Sequence, residues 1–502
     1  MFRKVLIANR GEIAVRVIRT CREMGIRPVA VYSDADAGAL HVRHAYQAVP
    51  IGPAPASESY LVMEKILAAA KQTEAEAIHP GYGFLSENAE FAQAVFDDGL
   101  VFIGPPAEAI RVMGDKLAAR QTMHRAGVPI VPGTIEPVAN AHDARTEADG
   151  VGYPVLLKAV AGGGGKGMRK VNTPDEIDDA LERARGEAKA AFGDDRVYLE
   201  KMLTGGRHVE VQVLSDAQGN HLHLFERDCS LQRRHQKVLE ESPCPVLEPE
   251  VAAQMYEVAV RAAAAVDYRG AGTVEFLLMP DGAFHFLEMN TRLQVEHPIT
   301  EMITGIDLVR AQLLVAAGED LGLQQQHIQR TGHAIECRVY AEDPNENFRP
   351  SPGRLHTMRT PGGAWVRVDS GVVAGSDVPI YYDPMIAKLA VWGSDRPAAI
   401  QRAVRALREF RITGVSTSIP FFLRMLHDPD VVAGNYDIAT LEQNLEAWTE
   451  HRSDQQERVA MIAAAVSAFI RTESRSGVTH SSAGQGKSSP WWQSGLPGGG
   501  GR

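Results

Sequence analysis

The chain has 502 residues, of which 44% are hydrophobic and 23% charged, and its formal net charge is −11. That length exceeds one ordinary hydrophobic core and suggests roughly three domains. No apolar run approaches the roughly 20 residues that cross a bilayer, the start lacks a signal peptide's long apolar stretch, and the acidic balance opposes a general nucleic-acid surface. A cytoplasmic protein with neither membrane nor nucleic acid as partner is expected.

In chain order, "KVLIA" at 4–8 reads as a buried strand, "EIAVRVIRTCREM" as a helix and "PVAVYS" as a second strand, together a βαβ unit. Alternating strands and helices continue to about residue 105, which predicts an open α/β, Rossmann-like domain over 1–113. Gly11 has no partner glycines to complete a dinucleotide fingerprint, which weighs against a nicotinamide dehydrogenase. A second domain is expected over 114–330, starting with the helix "GDKLAARQTMHR" and carrying a lid at about 131–203. In "HVEVQVL", His208, Glu210 and Gln212 share one face and the valines the other, so one face packs and the other is expected to be free for ligands. Residues 331–447 read as a separate β-rich domain, expected to be barrel-like, and 448–502 as one amphipathic helix followed by a disordered tail bearing Trp491 and Trp492. Four cysteines, Cys21, Cys229, Cys244 and Cys337, lack CxxC spacing and are expected to be buried free thiols.

"AVAGGGGKGMRKV", 159–171, formally contains GxGxxG, but the residues after it alternate like a strand. A helix is announced only at "TPDEIDDAL", where Thr173 and Glu176 form a capping box. A dinucleotide loop would open directly into a helix, and a Walker loop would have Ser or Thr after Lys166. The remaining reading is a strand–loop–strand lid whose backbone N–H groups fold over a polyphosphate, with Lys116 and Lys158 nearby.

Downstream, "GTVEFLLMPDGAFHFLEMNTRLQVEHP" predicts a hairpin turning at Asp281 and Gly282, which pairs Glu275 with Glu288 and puts Asn290 on the same face. Three oxygen-bearing side chains on apolar strands call for a neutralising cation, and Mg²⁺ held with substrate phosphates satisfies that need. Arg292, Gln294 and Glu296 follow with period two, and Arg233, Arg234, His235 and Lys237 concentrate positive charge as expected for a small anion acceptor of the γ-phosphate. An RNA patch or a solvated surface would leave the company of a Mg-ATP site unexplained.

"IANRGEIAVRVIR", "HPGYGFLSEN", "MGDK", "GGGGKGM", "ERDCSLQRRHQKV", "EMNTRLQVEHPITE" and "ECRVYAEDP", in this order, closely resemble the biotin carboxylases of the ATP-grasp enzymes, over about 1–447. The resemblance implies carboxylation of biotin on a carrier protein with ATP, Mg²⁺ or Mn²⁺, and bicarbonate. It further implies that Lys116, Lys158, Gly164, Gly165, Glu200, Lys201, Leu203, His208 and His235 contact ATP and that Glu275, Glu288 and Asn290 hold the metal. Lys237, Arg292, Gln294 and Val295 would hold bicarbonate, Arg338 would reach biotin or carboxyphosphate, and Glu296 would be the general base. Arg292 would also stabilise the biotin enolate, which places Arg292, Glu296 and Lys237 in the catalytic group. No Met-Lys-Met biotin attachment motif occurs, so a separate biotin carboxyl carrier protein and carboxyltransferase subunits are expected as partners, with a homodimer implied by resemblance. The expected complex is an acetyl-CoA carboxylase of fatty acid synthesis, with a pyruvate or propionyl-CoA carboxylase as alternative.

Overall fold

The computed structural model describes residues 1–160, 168–449, 459 and 461–467. Strand β1 (Lys4–Ile7), helix α1 (Gly11–Glu23) and β2 (Arg27–Ser33) form the expected βαβ unit, with β1 and β2 parallel. Strands β3 (Gln47–Gly52), β4 (Ala77–His79) and β5 (Val101–Phe102) complete a parallel sheet in the order β3-β2-β1-β4-β5. Alternate β1 side chains feed two different cores, Val5 and Ile7 one and Leu6 and Ala8 the other, because both faces of a parallel sheet are covered.

The helix Lys116–Arg125 starts at Asp115, whose carboxylate accepts the N–H groups of Leu117 and Ala118, both at 2.9 Å. Strands β6 (Val155–Ala159), β7 (Met168–Val171) and β8 (Val197–Lys201) then make a small antiparallel sheet, with Lys158 opposite Met168 in the expected strand–loop–strand unit. The connecting residues, with Gly164, Gly165 and Lys166, lie outside the described residues. This sheet has a core of its own, built from Val155, Leu157, Val171, Leu181 and Leu199. Gly133 lies against β8 with φ of +153°, and a Cβ there would stand 2.2 Å from the Leu199 carbonyl oxygen, so only glycine permits this approach behind Glu200. The capping box is displaced by one residue: Glu176 accepts the N–H of Asn172 at 2.9 Å rather than that of Thr173, and a 3₁₀ turn, Pro174–Glu176, precedes the helix Ile177–Phe192.

Strands β9 (Arg207–Ser215), β10 (His221–Arg233), β11 (Gln236–Ser242), β12 (Gly270–Leu278), β13 (Phe284–Asn290) and β14 (His333–Tyr340) join Met385–Gly393 and Val366–Ser370 in one eight-stranded antiparallel sheet. Its order is β13-β12-β9-β10-β11-β14, then Met385–Gly393 and Val366–Ser370. This corrects the expectation that the region after 331 is barrel-like. The strands do not close into a barrel, and β11 pairs directly with β14, from Leu239 opposite Cys337 to Ser242 opposite Ala334.

A second correction concerns β9. Val209, Val211 and Val213 pack with Val274, Phe276 and the helix Pro249–Ala264 as expected, but the opposite face is not free for ligands. Glu210 and Gln212 are fully buried beneath Arg227, and only His208 reaches the cavity described below. All four cysteines are buried and free. Among the described residues no helix is long and apolar enough to cross a membrane. Near the C-terminal end, Val459 and residues 461–467 are helical, within the expected helix, and Trp491 and Trp492 lie outside the described residues.

Candidate active site

The β12–β13 hairpin places Glu275 opposite Glu288, as the turn position predicts. It does so with two adjustments. Leu278 pairs with Phe284 around a loop longer than two residues, and a β-bulge at Leu287 absorbs the extra residue before Glu275. Asn290 Nδ2 donates to Glu275 Oε1 at 2.7 Å. Glu288 stands exposed at the cavity edge with no hydrogen bond or salt bridge among the described residues, and the charge of Glu275 pushes its carboxyl above the ordinary range. Two like-charged carboxylates and an amide oxygen form a hard-oxygen donor set that a divalent cation such as Mg²⁺ or Mn²⁺ fits.

Behind this edge the charges answer one another. Lys237 Nζ, on β11, donates to Glu296 Oε1 at 2.7 Å and to Glu275 Oε1 at 2.9 Å, and also to Glu210. Burial alone would lower the Lys237 pKa, but the three carboxylates hold it well above its ordinary value. Glu296 is fully buried and accepts on its other oxygen from Arg338 Nη2 at 3.0 Å. Burial works against its charge, yet Lys237 and Arg338 together hold the carboxyl well below the usual range. His208 Nε2 lies 3.1 Å from Glu275 Oε2, while its Nδ1 accepts from the Gln232 amide at 3.0 Å. Burial disfavours charge on His208, but Glu275 outweighs this and raises its pKa.

Four supporting residues carry no signal of their role in the sequence. Arg227, with its side chain fully buried, donates to Glu210 Oε1 at 2.6 Å, Gln212 Oε1 at 2.7 Å, Thr300 Oγ1 at 2.8 Å and Thr273 Oγ1 at 3.1 Å. It therefore fixes the carboxylate that in turn grips Lys237. Glu87 accepts from Arg292 Nε at 2.8 Å and from the Thr291 N–H at 3.2 Å, while Arg292 Nη2 donates to Asn290 Oδ1 at 2.9 Å. Arg120 donates to Glu200 Oε1 at 2.6 Å, and Lys158 takes the other oxygen of Glu200. Lys388 has a fully buried side chain and donates to the Val295 carbonyl at 2.7 Å. A buried arginine or lysine leaves no local pattern, since its partners come from strands distant in the chain.

A cavity of about 670 Å³ gathers most of the expected residues. Lys116, Lys158, Glu200, His208 and His235 line it together with Lys237, Glu275, Glu288 and Asn290, and Arg292, Gln294, Val295 and Arg338 complete the wall. Burial, and the charge of nearby Lys158, lower the Lys116 pKa. Arg234 and His235 form the two-residue turn between β10 and β11 with φ of 49° and 65°, the doubly left-handed turn that normally selects Asn and Gly. Such backbone strain costs about 1 kcal/mol or more per residue and is tolerated where it aims a side chain into a site. Two of the expected ATP contacts among the described residues do not line the cavity: the Lys201 ammonium donates to the carbonyls of Gly152 at 2.8 Å and Tyr153 at 2.9 Å, and Leu203 is absent from the wall. Glu296 sits just beneath the wall, reached through Lys237 and Arg338.

Family models match along most of the chain: biotin carboxylase N-terminal domain over 1–110, carbamoyl-phosphate synthase L chain ATP-binding domain over 115–324, and biotin carboxylase C-terminal domain over 336–443. The chain is 52% identical over 442 residues to a biotin carboxylase of Nostoc sp., covering 88% of this chain and 99% of that one. It is 53% identical over 421 residues to a pyruvate carboxylase subunit of Methanothermobacter thermautotrophicus, covering 84% and 86% respectively. The biotin carboxylase of Campylobacter jejuni, solved as a β,γ-ATP complex, superposes with a TM-score of 0.85 at 47% identity over 88% of this chain and 99% of that one. The biotin carboxylase domain of Hydrogenobacter thermophilus 2-oxoglutarate carboxylase, solved as a dimer with MgADP, ADP and bicarbonate, gives 0.84 at 44% identity over 90% and 100%. With its three consecutive domains matched and a cavity that gathers phosphate-seeking cations beside hard-oxygen metal donors, the chain belongs to the biotin carboxylase family of ATP-grasp ligases, which use ATP and Mg²⁺ with biotin on a carrier.

Proposed function

We propose that this chain catalyses the first half-reaction of an acetyl-CoA carboxylase in the cytoplasm, carboxylating biotin on a separate biotin carboxyl carrier protein, with carboxyltransferase subunits as further partners. The observation that carries this reading is the junction of Lys237 and Arg338 on the buried Glu296, directly behind the Glu275, Glu288 and Asn290 edge of the cavity. Lys116, Lys158, His208 and His235 bind the nucleotide phosphates, with Glu200 orienting Lys158. Glu275, Glu288 and Asn290 hold the metal, which screens phosphate charge when bound. Lys237, Arg292, Gln294 and the Val295 backbone seat bicarbonate.

A carboxylate held this far below its ordinary pKa is a weak base while Lys237 and Arg338 both donate to it. An arriving anion competes for those cations, and that sharing raises the proton affinity of Glu296 when a proton must be taken. Bicarbonate oxygen then attacks the γ-phosphorus, the bond to ADP breaks, and Glu296 holds the bicarbonate proton. The carboxyphosphate formed divides into carbon dioxide and phosphate. Phosphate removes the ureido proton of biotin, and Arg292 offsets the enolate charge before the nitrogen attacks carbon dioxide.

The test is phosphate release from ATP with free biotin. Release that requires both bicarbonate and biotin is expected; release without either overturns the reading. A second assignment of the final acceptor is pyruvate, which the identity to a pyruvate carboxylase subunit supports, or propionyl-CoA. Copurification with a biotinylated carrier and its transferase separates these assignments. A homodimer is part of the proposal, read by sedimentation.

A further inference from the structure

We propose, resting on the carboxylation reading above, that Glu240 and Glu336 share one proton and form a singly charged anchor that positions Arg338. The two residues are directly opposite across the β11–β14 ladder, and Arg338 lies two residues beyond Glu336, hence on the same face. Both carboxyl groups are fully buried. Arg338 Nε donates to Glu240 Oε1 at 2.5 Å, and its Nη2 donates to the base Glu296 at 3.0 Å. Glu240 Oε2 and both oxygens of Glu336 have no donor among the described residues.

Among the described residues, no further cation pairs with a second negative charge here. Glu240 faces Arg338, Lys237 and the like-charged Glu296, and Glu336 faces Lys388, Arg338, Glu240 and Glu296. Lys237 is already held by Glu210, Glu275 and Glu296, and Lys388 by Glu12 at 3.1 Å and the Val295 carbonyl. Two facing buried carboxylates, of which only Glu240 receives the Arg338 guanidinium, cannot both ionise cheaply. A single proton held between them removes one charge and supplies the missing O–H donor. Burial raises both carboxyls in the same direction, with Glu296 adding to the rise.

The pair matters because Glu296 loses its charge when it accepts a proton. Arg338 would then be released on that side, whereas the Glu240 contact keeps its guanidinium in place while its charge becomes available to the reacting groups. Glu240 and Glu336 are thus positioning residues, acting through Arg338.

Infrared spectroscopy of the full chain at neutral pH, without substrate, is expected to show a protonated carboxylic-acid band that Glu336→Gln removes. Glu240→Gln is expected to lower the turnover of bicarbonate- and biotin-dependent ATP hydrolysis about tenfold, the scale of a misplaced positioning group, with the KM for ATP unchanged and partial rescue by Glu240→Asp. Absence of the band from the parent protein, or unaltered kinetics in Glu240→Gln, overturns the proposal. If Glu336→Gln does not fold, the same band compared between the parent protein and Glu240→Gln decides. The band is read without turnover, so a parent protein that shows it but hydrolyses ATP without bicarbonate refutes the proposed function and not the shared proton.

Discussion

The carboxylates on the two sides of the cavity are treated in opposite ways. In the interior these charged carboxylates each meet cations: Glu210 meets Arg227 and Lys237, Glu296 meets Lys237 and Arg338, and Glu241 meets Arg396. At the β12–β13 edge, Glu288 meets the like charge of Glu275 and no paired cation among the described residues. The difference separates groups that the protein keeps in place from groups that a ligand must complete. Preorganised charge in the interior needs no rearrangement when the reaction occurs, and unanswered charge at the edge creates affinity for a cation.

Four changes test this contrast. Glu296→Gln removes the base while leaving its neighbours standing, and bicarbonate-dependent phosphate release is expected to fall about a thousandfold, within the range of general base catalysis. ATP affinity by calorimetry is expected to stay within a few-fold; unchanged turnover would remove Glu296 from the chemistry. Arg227→Met leaves Glu210 buried without its guanidinium, and urea unfolding is expected to show a loss of about 3–5 kcal/mol, the usual result of breaking one side of a buried ion pair. A loss under about 1 kcal/mol, the scale of an exposed pair, would mean that the interior is not balanced as described.

Acid is the third probe. Burial disfavours charge on Glu241, but hydrogen bonds from His333 and Arg396 outweigh it and hold the carboxyl at about 2, below its unfolded value of 4.5. A depressed folded value stabilises the protein above pH 4.5, and this contribution is lost as pH falls toward 2. Roughly 3 kcal/mol is at stake, at about 1.36 kcal/mol per pH unit. Glu241→Gln is expected to flatten the fall in unfolding free energy over this window; an unchanged slope would remove Glu241 as its source. The smallest effect on the fold is expected at the edge. Glu288→Gln relieves repulsion with Glu275, so the melting temperature without metal should hold or rise slightly, while the Mg²⁺ concentration needed for half-maximal ATP hydrolysis rises at least about tenfold. A fall in stability like that of Arg227→Met would erase the distinction between the two sides.

Much of the edge is legible in the sequence, because a hairpin converts spacing into opposition. Asp281 and Gly282 mark the turn, and period-two alternation brings Glu288 and Asn290 to one face. Even there the bulge at Leu287 leaves no sequence mark, and the pairing comes out right because the longer loop and the bulge offset each other. The interior is less legible. Arg227 lies within the stretch "ERDCSLQRRHQKV", but its partners Glu210, Gln212, Thr273 and Thr300 converge from three other elements. The continuation of the sheet past residue 331 escapes the sequence for the same reason: pairing of β11 with β14 joins residues almost a hundred positions apart, and no local pattern records it.

The sequence by itself determined the chemical inventory: a glycine-rich strand–loop–strand unit, oxygen donors in hairpin register, and cations concentrated in an acidic chain. These follow from backbone geometry over a few residues, where side-chain direction is set by position along the strand. Only the tertiary structure decided which charges are neutralised and which are left open. Neutralisation depends on distance and burial among strands far apart in the chain, so Glu296 became a buried, doubly held carboxylate and Glu288 an exposed one from residues of the same type.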